Sequence, residues 1–166
     1  YEKAIADFNT TLRIEPGKQK AFFNRGLAYM HKRDYPEARD DLARYNELQD
    51  GDPRSLQLLG TIEAYRQNYL RSIEYFNRAL ELDPEYAEAY FSRGISKGLL
   101  KQHVEAIRDY NKAIDRDGLK GQYFFNRGVS RINLNDFAGG CRDFRMADKL
   151  GFEQAEEMIN TYCKNN

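Results

Sequence analysis

The sequence predicts an all-α protein, a solenoid of stacked antiparallel helix pairs. Three observations carry that prediction. Glycines recur at Gly26, Gly60, Gly94 and Gly128, with steps of 60−26 = 34, 94−60 = 34 and 128−94 = 34 and no insertion. Around three of them the chain repeats a phrase, "FNRG" at 23–26 and 125–128 and "FSRG" at 91–94. Apolar residues keep helical spacing, as in Ala4, Ile5, Phe8, Leu12 and in Ile73, Phe76, Ala79, Leu80, while strands find no alternating β-branched run. A fixed period outranks other signals, because it means stacked copies of one small unit.

Setting each ladder glycine at position 8 justifies the elements in turn. Tyr1 then stands at position 17, so residues 1–18 carry the second helix of a truncated repeat, with Pro16 at position 32. Full repeats follow at 19–52, 53–86, 87–120 and 121–152. Each is predicted to be two helices, with "DGDP" placing Asp52 as N-cap and Pro53 at the first helical position. "LDPEY" closes another repeat at Pro84. After Gly128 the next rung is Tyr162, and Ala155, Met158, Ile159 and Tyr162 form one stripe of a capping helix over 153–164.

Within the register, position 4 is Phe22, Leu56, Tyr90, Phe124; position 20 is Ala38, Ser72, Ala106, Gly140; position 24 is Leu42, Phe76, Tyr110, Phe144. Position 27 is Tyr45, Ala79, Ala113, Ala147, and position 32 is Asp50, Pro84, Gly118, Phe152. This pattern resembles the tetratricopeptide repeat over essentially the whole chain, which implies a right-handed superhelical solenoid whose first helices line a concave groove. Glycine inside a helix costs ~1 kcal/mol relative to Ala, so four in register imply backbone contact that a Cβ would obstruct. Two departures stand out. Position 11, usually Tyr, is Tyr29 and then Glu63, Lys97 and Arg131, and the large Tyr45 predicts looser packing around position 27.

The Arg of the repeated phrase, at position 7, replaces the family's Leu. Position 23 is Asp41, Asp109 and Asp143 in the repeats with that Arg, and Tyr75 in the repeat with Leu59. Positions 7 and 23 lie level about a turn near 15, so within-repeat ion pairs Arg25–Asp41, Arg93–Asp109 and Arg127–Asp143 are predicted, each worth ~0.5–1 kcal/mol if partly exposed.

Chemistry is scarce. With 26 basic and 26 acidic side chains, the chain has no general attraction to nucleic acid or an anionic membrane. No apolar run approaches 18 residues and no signal peptide is present, so the chain reads as soluble; lacking an initiator Met, it reads as a piece or a processed form. His31 and His103 lie in different repeats without metal-ligand spacing, and read as surface or loop-proximal residues. No nucleophile elbow, phosphate loop or zinc motif occurs, so no enzyme, cofactor or metal is predicted. Aromatic residues sit mostly at positions 4, 17 and 24, which does not make a nucleic-acid platform.

Cys141 begins the last repeat's second helix and Cys163 ends the capping helix. If those helices are antiparallel, both lie about 12–15 Å from their turn at 1.5 Å per residue. A disulfide and two reduced thiols are both open; the first implies export to a bacterial periplasm, the second allows the cytoplasm. The stretch "GGCRDF…ADKLG…A…YC" is similar to the endings of tetratricopeptide proteins from Bacteroidetes.

The functional expectation is a non-catalytic protein-interaction scaffold; the alternatives are a spacer or self-association domain, or the substrate-recruiting part of a larger protein. Positions 5, 9 and 12 or 13 form a stripe outside the packing set: Phe23, Leu27, His31; Gln57, Thr61, Tyr65; Phe91, Ile95, Leu99; Phe125, Val129, Asn133. Position 6 adds Asn24, Ser92 and Asn126. The predicted ligand is a weakly charged peptide with apolar anchors, unless the Phe rings only pack against the next first helix. The residue set with which related domains clamp a terminal carboxylate is missing: Asn24 and Asn126 match its lone Asn, but positions 5 and 9 before Asn126 are Phe91 and Ile95. A homodimer is predicted as a second option, through Ala4, Ile5, Phe8 and Leu12 on the truncated first element.

Overall fold

A computed structural model describes residues 1–49 and 51–163. Asp50, at position 32 of the first full repeat, and Lys164, at the expected end of the cap, lie outside the described residues. The described residues divide into two compact halves between Pro84 and Glu85. The first holds α1 (Glu2–Ile14), α2 (Gln19–Lys32), α3 (Tyr35–Leu48), α4 (Pro53–Tyr65) and α5 (Tyr69–Leu82). The second holds α6 (Ala87–Leu99), α7 (His103–Arg116), α8 (Gly121–Asn133), α9 (Phe137–Lys149) and α10 (Gln154–Tyr162). All regular structure among the described residues is helical, and no helix there is long and apolar enough to cross a membrane.

In the first half α2 packs on α3 and α4 on α5, joined through α1 against α2 and α3 against α4. In the second, α6 packs on α7 and α8 on α9, joined through α7 against α8, with α10 resting on α9. The glycine ladder makes these pairs close. A Cβ on Gly60 would stand 2.6 Å from Cε1 of Phe76, and one on Gly94 2.7 Å from Cε1 of Tyr110. Gly26 and Gly128 meet Leu42 and Phe144 in the same way, so position 8 receives the position-24 side chain of its own repeat. Ala38, Ser72 and Ala106 at position 20, with Ala79, Ala113 and Ala147 at position 27, are wholly buried. The core is thus a column of small residues with large ones seated in it.

Local signals explain the boundaries. Asp52 accepts from the Arg54 N–H at 2.8 Å, capping α4 ahead of Pro53. Arg33, Gln67, Lys101 and Asn135, all at position 15, have φ between 61° and 63°. There the N–H of the following residue returns to the carbonyl five back, as Asp34 to Tyr29 and Asn68 to Glu63, closing each helix before the chain reverses.

Two expectations are corrected. Tyr45 does not loosen its repeat: it is 7% exposed, its ring lies 4.9 Å from that of Phe23, and its hydroxyl donates to Asp52 Oδ2 at 2.8 Å. The extra volume is used, and the polar tip is satisfied. Nor does α1 leave its stripe open. Ile5 is buried and Ala4, Phe8 and Leu12 are half-buried, because this helix spends its apolar side on α2.

Candidate functional site

Two sets of side chains on the first helices of the repeats are not consumed by the ladder, and they behave differently. The first is the position-7 arginines. Arg25 Nε and Nη2 donate to Asp41 at 2.7 and 2.6 Å, Arg93 to Asp109 at 2.9 and 2.6 Å, and Arg127 to Asp143 at 2.9 and 2.7 Å. Each is a bidentate fork on its own repeat's second helix. Hydrogen bonding to Asp41 raises the Arg25 pKa further above its ordinary value. The carboxylates are nearly closed off, with Asp109 and Asp143 side chains 4% exposed, so removing one partner costs more than the surface-pair magnitude expected from sequence.

Sequence reasoning missed two partners in this network. Arg25 Nη1 also donates to Asn9 Oδ1, and Arg127 Nη1 to Asn111 Oδ1, both at 2.6 Å. Asn9 and Asn111 occupy position 25 of the preceding repeat, so one guanidinium ties two repeats together. The departures at position 11 join in: Lys97 Nζ reaches Asp109 Oδ2 and Arg131 Nη1 reaches Asp143 Oδ2, both at 2.7 Å. In the repeat without Arg, position 11 is Glu63, fully buried, which accepts from Asn68 at 2.8 Å and Arg66 at 3.2 Å. These groups are a structural lattice, satisfied from within.

The second set is the expected groove stripe. In the N-terminal half, Asn24 and His31 are exposed, Leu27 and Thr61 are half-buried, and Tyr65 is 64% exposed. Gln57 is buried and donates to Thr61 Oγ1 at 3.1 Å. Phe23 lies beneath the Arg54 guanidinium at 5.5 Å. His31 stacks on Tyr1 with centroids 4.7 Å apart, and Tyr65 stacks on Tyr35 at 5.1 Å.

In the C-terminal half the position-5 phenylalanines are largely packing groups, which corrects the picture of an open phenyl trough. Phe91 is 7% exposed and lies 4.6 Å from Tyr123 on the next first helix; Phe125 is half-buried between Phe144 and Phe152. The reason is reach: a ring at position 5 is long enough to seal the joint between repeats. What stays open lies one turn further on. Ile95, Leu99, Asn126, Val129 and Asn133, all from the expected stripe, share one cavity of about 360 Å³ with Gly98, Lys101, His103, Tyr110 and Ser130. Ser92 is half-buried and is not one of the residues lining this cavity. The residues reasoning missed are small or polar ones behind the stripe. The usable signal was Gly98, a second glycine inside one helix.

The cavity is apolar along Ile95, Leu99 and Val129 and polar at its floor and rim. Burial pushes the Tyr110 pKa well above the ordinary tyrosine value, and its hydroxyl pairs with Ser130. Asn126 Nδ2 donates to Gln122 O and Asn133 Nδ2 to Val129 O, each at 2.8 Å, which commits both amide NH2 groups to the backbone of their own helix. Lys101 and His103 are the charged or titratable residues at the rim, and no carboxylate lines the cavity.

At the far end, Cys141 on α9 and Cys163 after α10 form a disulfide with Cα atoms 5.7 Å apart. It lies in an apolar cluster with Phe144, against Phe125, Val129, Ile132, Met158 and Ile159. Among the described residues no group of three or more His, Cys, Asp or Glu is arranged to hold a metal ion.

Known proteins share this architecture. A structure of MamA from Desulfovibrio magneticus superimposes with a TM-score of 0.82 at 19% identity, covering 92% of this chain and 86% of that one. YrrB, described as a TPR protein with an unusual peptide-binding site, gives 0.76 at 21% identity, covering 99% and 84%. PilF of Pseudomonas aeruginosa gives 0.79 at 13% identity, covering 93% and 68%. At these identities the likeness is one of fold. Human sperm-associated antigen 1 is 26% identical over 89 residues, which are 54% of this chain and only a tenth of that protein's length. Residues 1–53 and 58–119 match the tetratricopeptide repeat family. With four helix pairs in one 34-residue register, the chain belongs to the tetratricopeptide repeat family.

Proposed function

We propose that this chain is a non-catalytic interaction module that holds an extended segment of a protein partner on the first helices of its repeats. The observation that carries the reading is the cavity between α6 and α8. Five residues of the stripe that packing leaves over converge on it, and they mix aliphatic walls with amide oxygens. Such a surface anchors an apolar side chain while fixing the backbone beside it. With 26 cations against 26 anions, no strong field selects a charged ligand, so binding is only weakly salt-dependent. YrrB offers a related fold with a peptide-binding site, which supports the class of ligand. The disulfide supports maturation in an oxidising compartment.

The test is selection of peptides displayed on phage against the immobilised, oxidised chain. Recovered peptides should lose affinity when Leu99 is replaced by Ala. Leu99 is 54% exposed, so its truncation leaves the fold intact, whereas truncating the buried Phe91 would destabilise it by about 3–5 kcal/mol. A failure to enrich any sequence, or peptides indifferent to Leu99→Ala and abolished by modest salt, would sink the proposal. Self-association through α1 is the less favoured reading, because Ile5 is buried and Ala4, Phe8 and Leu12 are half-buried.

A further inference from the structure

The joints inside the two halves differ at one pair of positions. In the N-terminal half, position 17 of one repeat meets position 13 of the next. In the N-terminal half these positions hold Tyr1 with His31 and Tyr35 with Tyr65, and each pair stacks nearly parallel, with interplanar angles of 8° and 13°. At the joint of the C-terminal half the same positions hold His103 and Asn133. These two do not form a ring pair; both line the open cavity. Position 12 is Met30, Ala64 and Ile132 in the other repeats, whereas Gly98 contributes no side chain. A Cβ there would sit 3.7 Å from the Tyr110 hydroxyl, in ordinary contact, so steric crowding does not require the glycine, and its helix propensity is poor.

We propose that this cavity is the seat for a tyrosine side chain of the bound peptide, whose ring supplies the missing member of the stack beside His103. The proposal rests on the peptide-binding reading and names its anchor. Three features select the ring. Flat apolar walls at Ile95, Leu99 and Val129 suit an aromatic face. With their NH2 groups committed to backbone carbonyls, Asn126 and Asn133 have their amide oxygens left, and one of these accepts from the single phenol O–H. His103 Nδ1, buried and without a hydrogen-bond partner, is the alternative acceptor for that one O–H in the tautomer that leaves Nδ1 unprotonated. The rim cation Lys101, with no carboxylate in the lining, opposes a planar arginine in the same place.

The experiment titrates the oxidised full chain with acetylated, amidated Gly-Gly-X-Gly-Gly peptides, X being Tyr, Phe, Leu or Arg, and follows backbone amide shifts. The Tyr peptide should move Gly98, Ser130 and Asn133 saturably, and Phe, lacking the donor, should bind about tenfold more weakly. Leu and Arg should bind more weakly still. Replacing His103→Tyr together with Asn133→Tyr should rebuild the internal stack, close the cavity and abolish the shifts, with a melting temperature no lower than that of the parent. Should that variant fail to fold, Gly98→Met decides by filling the same space. Equal or tighter binding of Leu or Arg, shifts centred elsewhere, or undiminished binding by the closed variant overturns the assignment. Selected peptides that bind without any aromatic residue would sink the tyrosine seat and leave the interaction module standing; no selectable peptide at all would sink both.

Discussion

Replacing Asp143 by Ala should damage the arginine lattice more than replacing Asp41. The Asp143 side chain is 4% exposed and its carboxylate accepts from Arg127 at 2.9 and 2.7 Å and from Arg131 at 2.7 Å. Removing one partner of a buried pair typically costs 3–5 kcal/mol, because the remaining charge is stranded. Here the stranded groups have some recourse. Arg127 keeps Asn111 and Arg131 keeps the Gly139 carbonyl, and their side chains are 15% and 22% exposed. The expected loss is therefore about 2–3 kcal/mol, below the full buried-pair value. Asp41 serves a single guanidinium, and its side chain is 8% exposed, so Asp41→Ala should lose about 1–2 kcal/mol. Urea unfolding of the oxidised chain at neutral pH, followed by helical circular dichroism, measures both. An Asp143→Ala variant within about 0.5 kcal/mol of the parent, or a larger loss for Asp41→Ala, would refute the reasoning.

Other outcomes follow from the same geometry. Gly60→Ala would place a methyl 2.6 Å from a Phe76 ring that is 1% exposed and cannot yield; overpacking of about 1–3 kcal/mol should outweigh the ~1 kcal/mol helix-propensity gain, and a raised melting temperature contradicts this. Reducing the disulfide, which closes 22 residues, should cost about 3 kcal/mol in urea titrations; equal midpoints with and without reductant contradict it. For Asp52, burial opposes the charged form, but bonds from Arg54, Tyr45 and the Arg54 N–H overcome it and hold the pKa below the usual carboxylate value. A depressed pKa gives stability that is complete above the unfolded value near ~4 and lost as pH falls through the folded one. The deficit of Asp52→Ala, about 1 kcal/mol at neutral pH, should thus shrink on acidification, and a deficit that grows would oppose this assignment.

The ladder was readable because glycine in a helix has one physical use at this spacing, and its partner is 16 residues away in the same repeat. Gly60 with Phe76 and Gly94 with Tyr110 need no knowledge of how repeats stack. The position 7 to 23 contacts follow from the same hairpin symmetry. What lay beyond that symmetry was harder. Asn9 and Asn111 act on the following repeat, and their role depends on the crossing of successive pairs, which sequence spacing within one repeat does not encode. The position-5 phenylalanines fell outside the packing positions of the pattern, yet Phe91 is buried because the inter-repeat joint has its own core. The cavity was half legible. The stripe pointed to Ile95, Leu99 and Val129, whereas His103 and Tyr110 arrive from α7, whose face toward α8 only the packing reveals.

The central claim is that ligands lie on the first helices of the repeats. Hydrogen exchange of the oxidised chain, free and saturated with a display-selected peptide, tests it most directly, because bound backbone and neighbouring helices gain protection where the ligand sits. Added protection is expected in α6 and α8 around Ile95–Leu99 and Asn126–Asn133, with α5 and α9 unchanged on their outer turns. Protection confined to α10 or to the second helices, with α6 and α8 untouched, would contradict it.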